Sequence, residues 1–298
     1  KIAPNYAGPV VYVPDASRAV GVVTRLLSID MRDGYVDEIA ADYEKLRGQH
    51  ANKKGVPLVS LAAARASREK SDTRLNYAPV KPKQLGVTVL RDLDPAVLAE
   101  YIDWGPFFQT WDLAGSYPKI LDDALVGEAA RNVFKDGKAM LQQLIAGNWI
   151  RANAVFGLFP VARENEDIAF IVDGKPAMTW HGLRQQQERP DGKPQQSLAD
   201  YVAPTGDYAG AFAVTAGIGI EKKLAEFEAQ HDDYRAIMLK TLADRLAEAA
   251  AEWLHREVRT NFWGYAAGET LDSAALIDEK YRGIRPAPGY PACPDHTA

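Results

Sequence analysis

Residues 281–296 have the sequence Tyr-Arg-Gly-Ile-Arg-Pro-Ala-Pro-Gly-Tyr-Pro-Ala-Cys-Pro-Asp-His, in which four prolines follow Arg285. Proline fixes φ, lacks a backbone donor and pushes the preceding residue toward extended conformations. We therefore predict a stiff, extended ribbon with free carbonyls rather than a helix or a central strand. Arg285 offers a fork for a carboxylate, Gly289 allows close approach to the backbone, and Tyr290 adds a ring with a polar tip. Such a ribbon suits a zwitterionic ligand with a flat base, and a loop that covers a core is the alternative.

The remaining chain alternates between helical and strand-like periodicity. Asp94-Pro95 is a strong helix start, because a capping side chain precedes a proline at the first helical position. Asp173-Gly174 is a hairpin turn signal between two apolar, β-branched runs. Strands joined by hairpins beside long helices indicate an α+β fold with a twisted antiparallel sheet. We expect strands near 10–13, 85–90, 154–161, 167–172, 177–180 and 208–220. We expect helices near 20–27, 30–50, 58–70, 94–104, 126–144, 221–259 with a break near 231, and 272–281. The segment 185–196 is predicted to be a polar, mobile loop.

Composition limits the classes of function. The chain has 298 residues, a net charge of −5 and 47% hydrophobic residues, which is ordinary for a protein with a packed core and argues against a nucleic-acid partner. No apolar run approaches the length of a membrane span. The single cysteine, Cys293, excludes an internal disulfide, fits a reducing compartment and is predicted to be structural. No glycine-rich turn follows a strand, which argues against a dinucleotide fold.

Few residues have the pattern of a reactive site. Asp103 lies among five aromatic residues, where a carboxylate suits an ammonium or sulfonium cation, although a core patch is the alternative. Glu252 and His255 have the spacing of half a metal site, but a surface helix is the better interpretation because the other half is missing. Asp244 and Glu248 lie one turn apart on one predicted helix face, which is typical of a solvated surface. We predict no catalytic side chain and no metal site.

Several motifs resemble those of one known family. Arg285-Pro-Ala-Pro-Gly-Tyr290 is similar to the Arg-x-x-x-Gly-Tyr signature of the activation domain of cobalamin-dependent methionine synthase. Further similar segments occur in the family's order across the chain: 10–18, 101–108, 210–215, 227–234, 242–248 and 262–265.

The resemblance implies a binding site for S-adenosylmethionine. The matching residues of the family predict that Asp103, Arg285, Ala287, Gly289 and Tyr290 bind it, with Asp103 facing its ammonium group and Arg285 its carboxylate. Asp244 and Glu248 would face the cobalamin-binding domain of the same polypeptide. The implied role is support of the reductive methylation of inactive cob(II)alamin in a cytoplasmic methyltransferase that makes methionine from homocysteine and methyltetrahydrofolate.

The resemblance also predicts partners and boundaries. Cobalamin and zinc would belong to other domains, and flavodoxin or a flavoprotein reductase would donate the electron. Residues 1–9 would be a linker from the cobalamin-binding domain, and 10–298 an activation domain truncated at its C-terminal end, since the family continues with further ligand contacts. The isolated chain would then bind its ligand without turnover. Two alternatives are a corrinoid-protein interaction or reductase module and a stand-alone S-adenosylmethionine-dependent methyltransferase.

Overall fold

The computed structural model describes residues 6, 8–13, 16–51, 57–68, 78–189 and 192–294. The chain forms two compact units, residues 1–59 and 60–298, and each is described by itself.

The first unit contains two helices, α1 (Ala16–Leu27) and α2 (Arg32–Ala51), as the periodicity predicted. The backbone amide of Tyr12 donates to the Tyr43 hydroxyl at 2.7 Å, which ties the segment before α1 to α2. The strand predicted at 10–13 is wrong, because these residues have no regular secondary structure. A short β-branched run becomes a strand only where a neighbouring strand pairs with it.

The second unit is built on an antiparallel sheet of five strands: β1 (Gly86–Leu93), β2 (Arg151–Glu164), β3 (Asp167–Val172), β4 (Lys175–His181) and β5 (Asp207–Ile218). The long strand β2 is central. It pairs with β5 along one edge, and with β1 and then β3 along the other. The hairpin from β3 to β4 turns at Asp173 and Gly174, whose φ values of 51° and 75° fit the tight turn predicted there. The predicted α+β fold is confirmed.

In the described part of the second unit, the α-helices are α3 (Leu61–Ala66), α4 (Pro95–Ala99), α5 (Gly105–Gln109), α6 (Gly127–Ala146), α7 (Ile220–Ala229), α8 (Asp233–Glu257) and α9 (Ser273–Ile277). A π-helical turn (Val258–Phe262) continues α8. Asp94 caps α4 by accepting from the Ala96 amide at 2.8 Å, as predicted. The break predicted near 231 is also confirmed: Asp232 starts α8 by accepting from the Arg235 amide at 3.0 Å. Among the described residues, no helix is both long and apolar enough to cross a membrane.

The core lies where α8 packs on the sheet and on α6. Leu239, Leu242 and Leu246 of α8 are fully buried, and they belong to one cluster with Leu144 of α6 and Phe107 of α5. Further along α8, Leu254 packs with the buried face of β2. The last two turns of α8 are therefore fixed against the sheet, and they carry the polar residues of the candidate site.

Three predicted helices are shorter than expected. α4 ends at Ala99, and the aromatic run after it starts a separate helix, α5. α9 ends at Ile277, so that Tyr281 lies outside it. The predicted helix 58–70 has α3 as its described helical part, and residues 69 and 70 lie outside the described residues.

The polar segment 185–196 is held at both ends, which its turn-rich sequence did not predict. Arg184 is fully buried and binds Asp200 through two nitrogens at 2.9 and 2.7 Å and Glu166 at 2.9 Å. Its guanidinium also donates to the Gln195 carbonyl at 2.7 Å. Since Glu166 lies in the turn between β2 and β3, this network joins the sheet to the segment before β5.

Candidate functional site

One face of α8 carries carboxylates whose burial increases along the helix. The side chain of Asp244 is 69% exposed, that of Glu248 51% and that of Glu252 9%. Residues four apart lie above one another on a helix, so the three side chains form one row. The row runs from solvent into the packed end of α8.

Arg285 binds the two inner carboxylates of this row, those of Glu248 and Glu252. Its Nη2 atom donates to Glu248 Oε1 at 3.1 Å and to Glu252 Oε2 at 3.0 Å. Both carboxylates thus share one guanidinium nitrogen. Among the described residues, Arg285 Nε and Glu252 Oε1 are buried without a hydrogen-bond partner. Buried polar atoms usually have a partner, so these two atoms are exceptions within the site.

Burial and charge act in opposite directions on Glu252. Burial raises the pKa of its carboxyl, while the Arg285 guanidinium opposes the rise. Without Arg285 the carboxylate would be a buried, unpaired charge, which is strongly unfavourable. Arg285 therefore contributes to the stability of this end of α8 as well as offering a cation.

The π-helical turn that continues α8 holds a second cation, Arg259. Arg259 is fully buried and forks onto Glu269, with Nε at 3.0 Å and Nη2 at 2.6 Å from the two carboxylate oxygens. Its Nη1 atom lies 2.7 Å from His255 Nδ1. Burial and the charges of Arg259 and Arg285 lower the pKa of His255 to about 3, so this nitrogen is an acceptor at neutral pH. The Arg259 guanidinium also lies 4.2 Å from the ring centroid of Tyr281.

The surface location predicted for Glu252 and His255 is wrong. Both residues are buried, with 7% and 9% of their surface exposed. Each is occupied by an arginine, Glu252 by Arg285 and His255 by Arg259. Among the described residues, no group of three or more His, Cys, Asp or Glu side chains is placed to hold a metal ion.

The proline-rich ribbon is only partly extended, which corrects the prediction. Residues 284–287 have no regular structure, but 287–293 form two consecutive turns. The Tyr290 amide donates to the Ala287 carbonyl at 3.2 Å, and the Cys293 amide to the Tyr290 carbonyl at 2.8 Å. Gly289 has a φ of 95°, and its amide donates to the Cys293 carbonyl at 2.8 Å. Pro288-Gly289 lies at the centre of the first turn. Proline followed by glycine favours a turn, and the prediction of an extended ribbon did not take this signal into account. Cys293 is buried at 5% exposure, in line with its predicted structural role.

Asp103 lies between α4 and α5. Its Oδ1 atom accepts from the Gly105 amide at 2.8 Å. Two residues earlier, the Tyr101 hydroxyl accepts from Arg256 Nη1 at 2.7 Å. Arg256 and Glu252 are four residues apart on α8, and Glu252 binds Arg285. The structure thus attaches the Asp103 segment and the Arg285 segment to adjacent turns on one side of α8.

Asp244 and Glu248, predicted to face a partner domain, have different surroundings. Asp244 is exposed and pairs with its neighbour Arg245. Glu248 binds Arg285. The residue assigned to a partner surface and the residue assigned to the ligand carboxylate are therefore in direct contact.

Comparison with known proteins places this geometry in a family. The model of the vitamin B12-dependent methionine synthase activation domain matches residues 94–298. The chain belongs to this family. A crystal structure of the MetH reactivation domain bound to AdoHcy is 47% identical to it, with a TM-score of 0.72, and the match covers 81% of this chain and 75% of that chain. The family resemblance inferred from the sequence motifs is confirmed.

Three residues of the candidate site were not considered as site residues in the sequence, namely Arg259, Glu269 and Tyr281, and Glu252 was considered only as half of a metal site. The pattern of α8 is that of an amphipathic helix with a charged face, and charge alone does not show which charged residues are buried. Arg259 in the π-helical turn carries the one signal that was available, because its apolar neighbours Val258 and Phe262 place it next to the core.

Proposed function

We propose that this activation domain binds S-adenosylmethionine and holds its methyl group for transfer to cobalamin in the reductive reactivation of methionine synthase. The observation that carries the proposal is the 47% identity to a reactivation domain bound to AdoHcy. AdoHcy is what remains of S-adenosylmethionine after its methyl group has left.

Arg285 is the residue that binds the ligand's carboxylate. Its planar guanidinium matches a carboxylate, and its contacts with Glu248 and Glu252 both use Nη2, so these contacts do not use Nη1 or Nε. The buried carboxylate of Glu252 holds the guanidinium in place before the ligand arrives. A preformed fork reduces the loss of side-chain entropy on binding.

Asp103 binds the ligand's ammonium group. One of its oxygens is occupied by the Gly105 amide, which fixes the orientation of the carboxylate while leaving the other oxygen for a cation. Its proximity to Arg285 is supported by the attachment of both segments to adjacent turns of α8 through Tyr101 and Glu252. The two opposite charges match the two charged groups of an amino acid.

The turn at 287–290 supplies the remaining contacts. Ala287, Gly289 and Tyr290 are exposed, and Gly289, which has a positive φ, presents its backbone at the surface without a Cβ. A ligand can therefore approach the main chain closely and place its adenine beside the Tyr290 ring.

Other domains and partners complete the reaction. Cobalamin, in the cobalamin-binding domain of the same polypeptide, accepts the methyl group, and flavodoxin or a flavoprotein reductase supplies the electron. Zinc belongs to the domains that use homocysteine and folate. The same proposal includes a linker role for residues 1–9 and a cytoplasmic location. It also includes binding of S-adenosylmethionine by the isolated chain without turnover of this ligand.

Calorimetric titration of the chain with S-adenosylmethionine tests the proposal. We expect saturable one-to-one binding, weakened by about 1–3 kcal/mol in Arg285→Lys because a charge-assisted fork is lost. Asp103→Asn keeps the acceptor for the Gly105 amide and loses the charge, so it should weaken binding at an unchanged melting temperature. Asp244→Asn, which removes an exposed carboxylate that pairs with Arg245 on α8, is the matched control.

Two outcomes would favour the alternatives. No binding by the parent chain would indicate a corrinoid-protein interaction module without a ligand site. Equal affinities of the parent, Arg285→Lys and Asp103→Asn would place the ligand elsewhere on the domain.

A further inference from the structure

We propose that Tyr281 is a positioning residue for the ligand site, whose ring, fixed by Arg259 and His255, sets the path of the backbone from which Arg285 extends. The inference rests on the proposed function, since it assigns the part of the structure that orients the Arg285 fork.

The groups around the Tyr281 ring are themselves immobilised. The guanidinium of Arg259 lies 4.2 Å from the ring centroid, and the His255 ring meets it edge-on, at 4.8 Å and 87°. Arg259 has no exposed surface, and Glu269 holds it through two hydrogen bonds. A cation over an aromatic face and a perpendicular ring are both favourable arrangements. Tyr281 therefore has one well-defined place against the end of α8.

A second contact fixes the residues that follow. The Tyr265 hydroxyl donates to the Arg282 carbonyl at 3.2 Å. Gly283 has a φ of 101°, and a Cβ at this position would lie 2.5 Å from the Tyr265 hydroxyl oxygen. The chain thus passes Tyr265 at a distance that only glycine allows, in a conformation that glycine favours. Between Tyr281 and Arg285 little freedom is left in the backbone.

The fork of Arg285 depends on this path. A bidentate contact with a carboxylate requires its two donors to be placed within about 0.5 Å and 10–20° of the correct geometry. Glu248 and Glu252 both accept from Nη2, so these contacts do not hold Nη1 or Nε, the donors that form a fork together with Nη2. The backbone four residues earlier, at Tyr281, supplies the missing constraint. Lysine at 285 has no plane to orient, so it should not depend on Tyr281.

This difference between arginine and lysine gives a test that separates orientation from general stability. The 298-residue chain is prepared as parent, Tyr281→Leu, Arg285→Lys and the double variant, and titrated calorimetrically with S-adenosylmethionine. We expect Tyr281→Leu to weaken binding about tenfold, a change equivalent to 1.4 kcal/mol. In the Arg285→Lys background, Tyr281→Leu should change the affinity by less than about twofold. The effects of the two substitutions on the affinity would then be non-additive. Tyr281→Phe keeps the ring and should bind like the parent.

Each other outcome overturns the inference. Equal effects of Tyr281→Leu in both backgrounds would show that Tyr281 does not act through the fork. Tyr281→Leu with the affinity of the parent would show that it does not act at all, and loss of the cooperative thermal transition in Tyr281→Leu would make it a residue of the fold. If the parent itself fails to bind, the proposed function fails together with this inference, whereas a binding parent with additive variants contradicts the inference alone.

Discussion

At the scale of single residues, two arginines define the candidate site, and they are held by two carboxylates and an imidazole from α8 and by the carboxylate of Glu269 after the π-helical turn. Arg285 is bound by Glu248 and Glu252, and Arg259 by Glu269 and His255. The two cations lower the pKa of His255 in addition to the effect of burial. The neutral imidazole is therefore required for the packing of this end of α8.

This requirement predicts the pH dependence of stability. The folded pKa of His255, about 3, lies below the unfolded value of 6.5, so the unfolded chain binds a proton there that the folded chain does not. The stabilisation is complete above about pH 6.5 and is lost as the pH falls toward 3. His255→Gln keeps an acceptor for Arg259 but cannot be protonated. Between pH 6 and pH 4, urea denaturation should show the parent losing up to about 1.4 kcal/mol per pH unit more than this variant. Parallel pH profiles would contradict the assignment.

Gly283 allows a second prediction at this scale. Alanine there would adopt a φ of 101° and place its Cβ 2.5 Å from the Tyr265 hydroxyl. We expect Gly283→Ala to lower the free energy of unfolding by about 1–3 kcal/mol. Gly268→Ala is the control, because nothing lies within 4 Å of its Cβ position. Combining Gly283→Ala with Tyr265→Phe should recover part of the loss, and an unchanged deficit would mean that the contact with the hydroxyl is unimportant.

Which site residues the sequence reveals depends on their chemical context. Arg285 and Gly289 are visible because prolines surround them and the motif is contiguous, and Asp103 is visible because its aromatic neighbours are close in sequence. Glu252, Arg259 and Tyr281 are not visible, since their roles follow from tertiary burial of one end of α8. Pro288-Gly289 was available as a turn signal, and weighting it would have predicted the turns at 287–293.

At the scale of elements, capping and turn residues were the most reliable guides. Asp94, Asp232 and Asp272 each accept a backbone hydrogen bond at the start of a helix, and Asp173-Gly174 turns the hairpin. These signals act within four residues, so they need no knowledge of the fold. The prediction of a strand at 10–13 was wrong because strand formation depends on a partner that is distant in sequence. The predicted end of α9 was wrong because no local sequence signal marks where the packing of this helix ends.

The Arg184 network shows a tertiary link between elements and gives a prediction of its own. The side chain of Arg184 has no exposed surface and pairs with Glu166 and Asp200, whose side chains are 8% and 3% exposed. Arg184→Met would leave the buried Asp200 without its cation and Glu166 with only the partly exposed Arg65 at 3.3 Å, so we expect a loss of about 3–5 kcal/mol in the free energy of unfolding. Arg47→Met is the control: Arg47 and Glu44 are an exposed pair three residues apart, whose loss should cost less than about 1 kcal/mol. Similar losses in both variants, measured by urea denaturation, would refute the role of Arg184.

At the scale of the whole molecule, α8 connects the core to the site. Its first turns pack with α6, its last turns with β2, and its polar row meets Arg285. The Asp103 segment reaches the same turns through Tyr101 and Arg256. Residues far apart in sequence thus converge on one helix, and this convergence is the part of the site that local sequence patterns cannot show.

The proposed reaction predicts that the chain alone does not transfer the methyl group. Transfer from a sulfonium requires a strong nucleophile, and Cys293, the single thiol, is buried between two prolines of the ribbon. His255 is occupied by Arg259. With S-adenosylmethionine labelled in its methyl group, we expect binding without release of label from the chain alone. Transfer should begin when the reduced cobalamin-binding domain and an electron donor are added.

The dependence of that transfer on salt locates the docking surface. If the exposed carboxylate of Asp244 faces the cobalamin-binding domain, added salt should slow transfer, because ions screen exposed charges beyond roughly 10 Å at 0.1 M. Asp244→Asn should reduce this salt dependence while leaving the affinity for S-adenosylmethionine unchanged. Glu248→Gln should alter both, since Glu248 also binds Arg285. An unchanged salt dependence in Asp244→Asn would place the docking surface on another face of the domain. In the labelling experiment, label on a small-molecule acceptor without any corrinoid would instead identify a stand-alone methyltransferase.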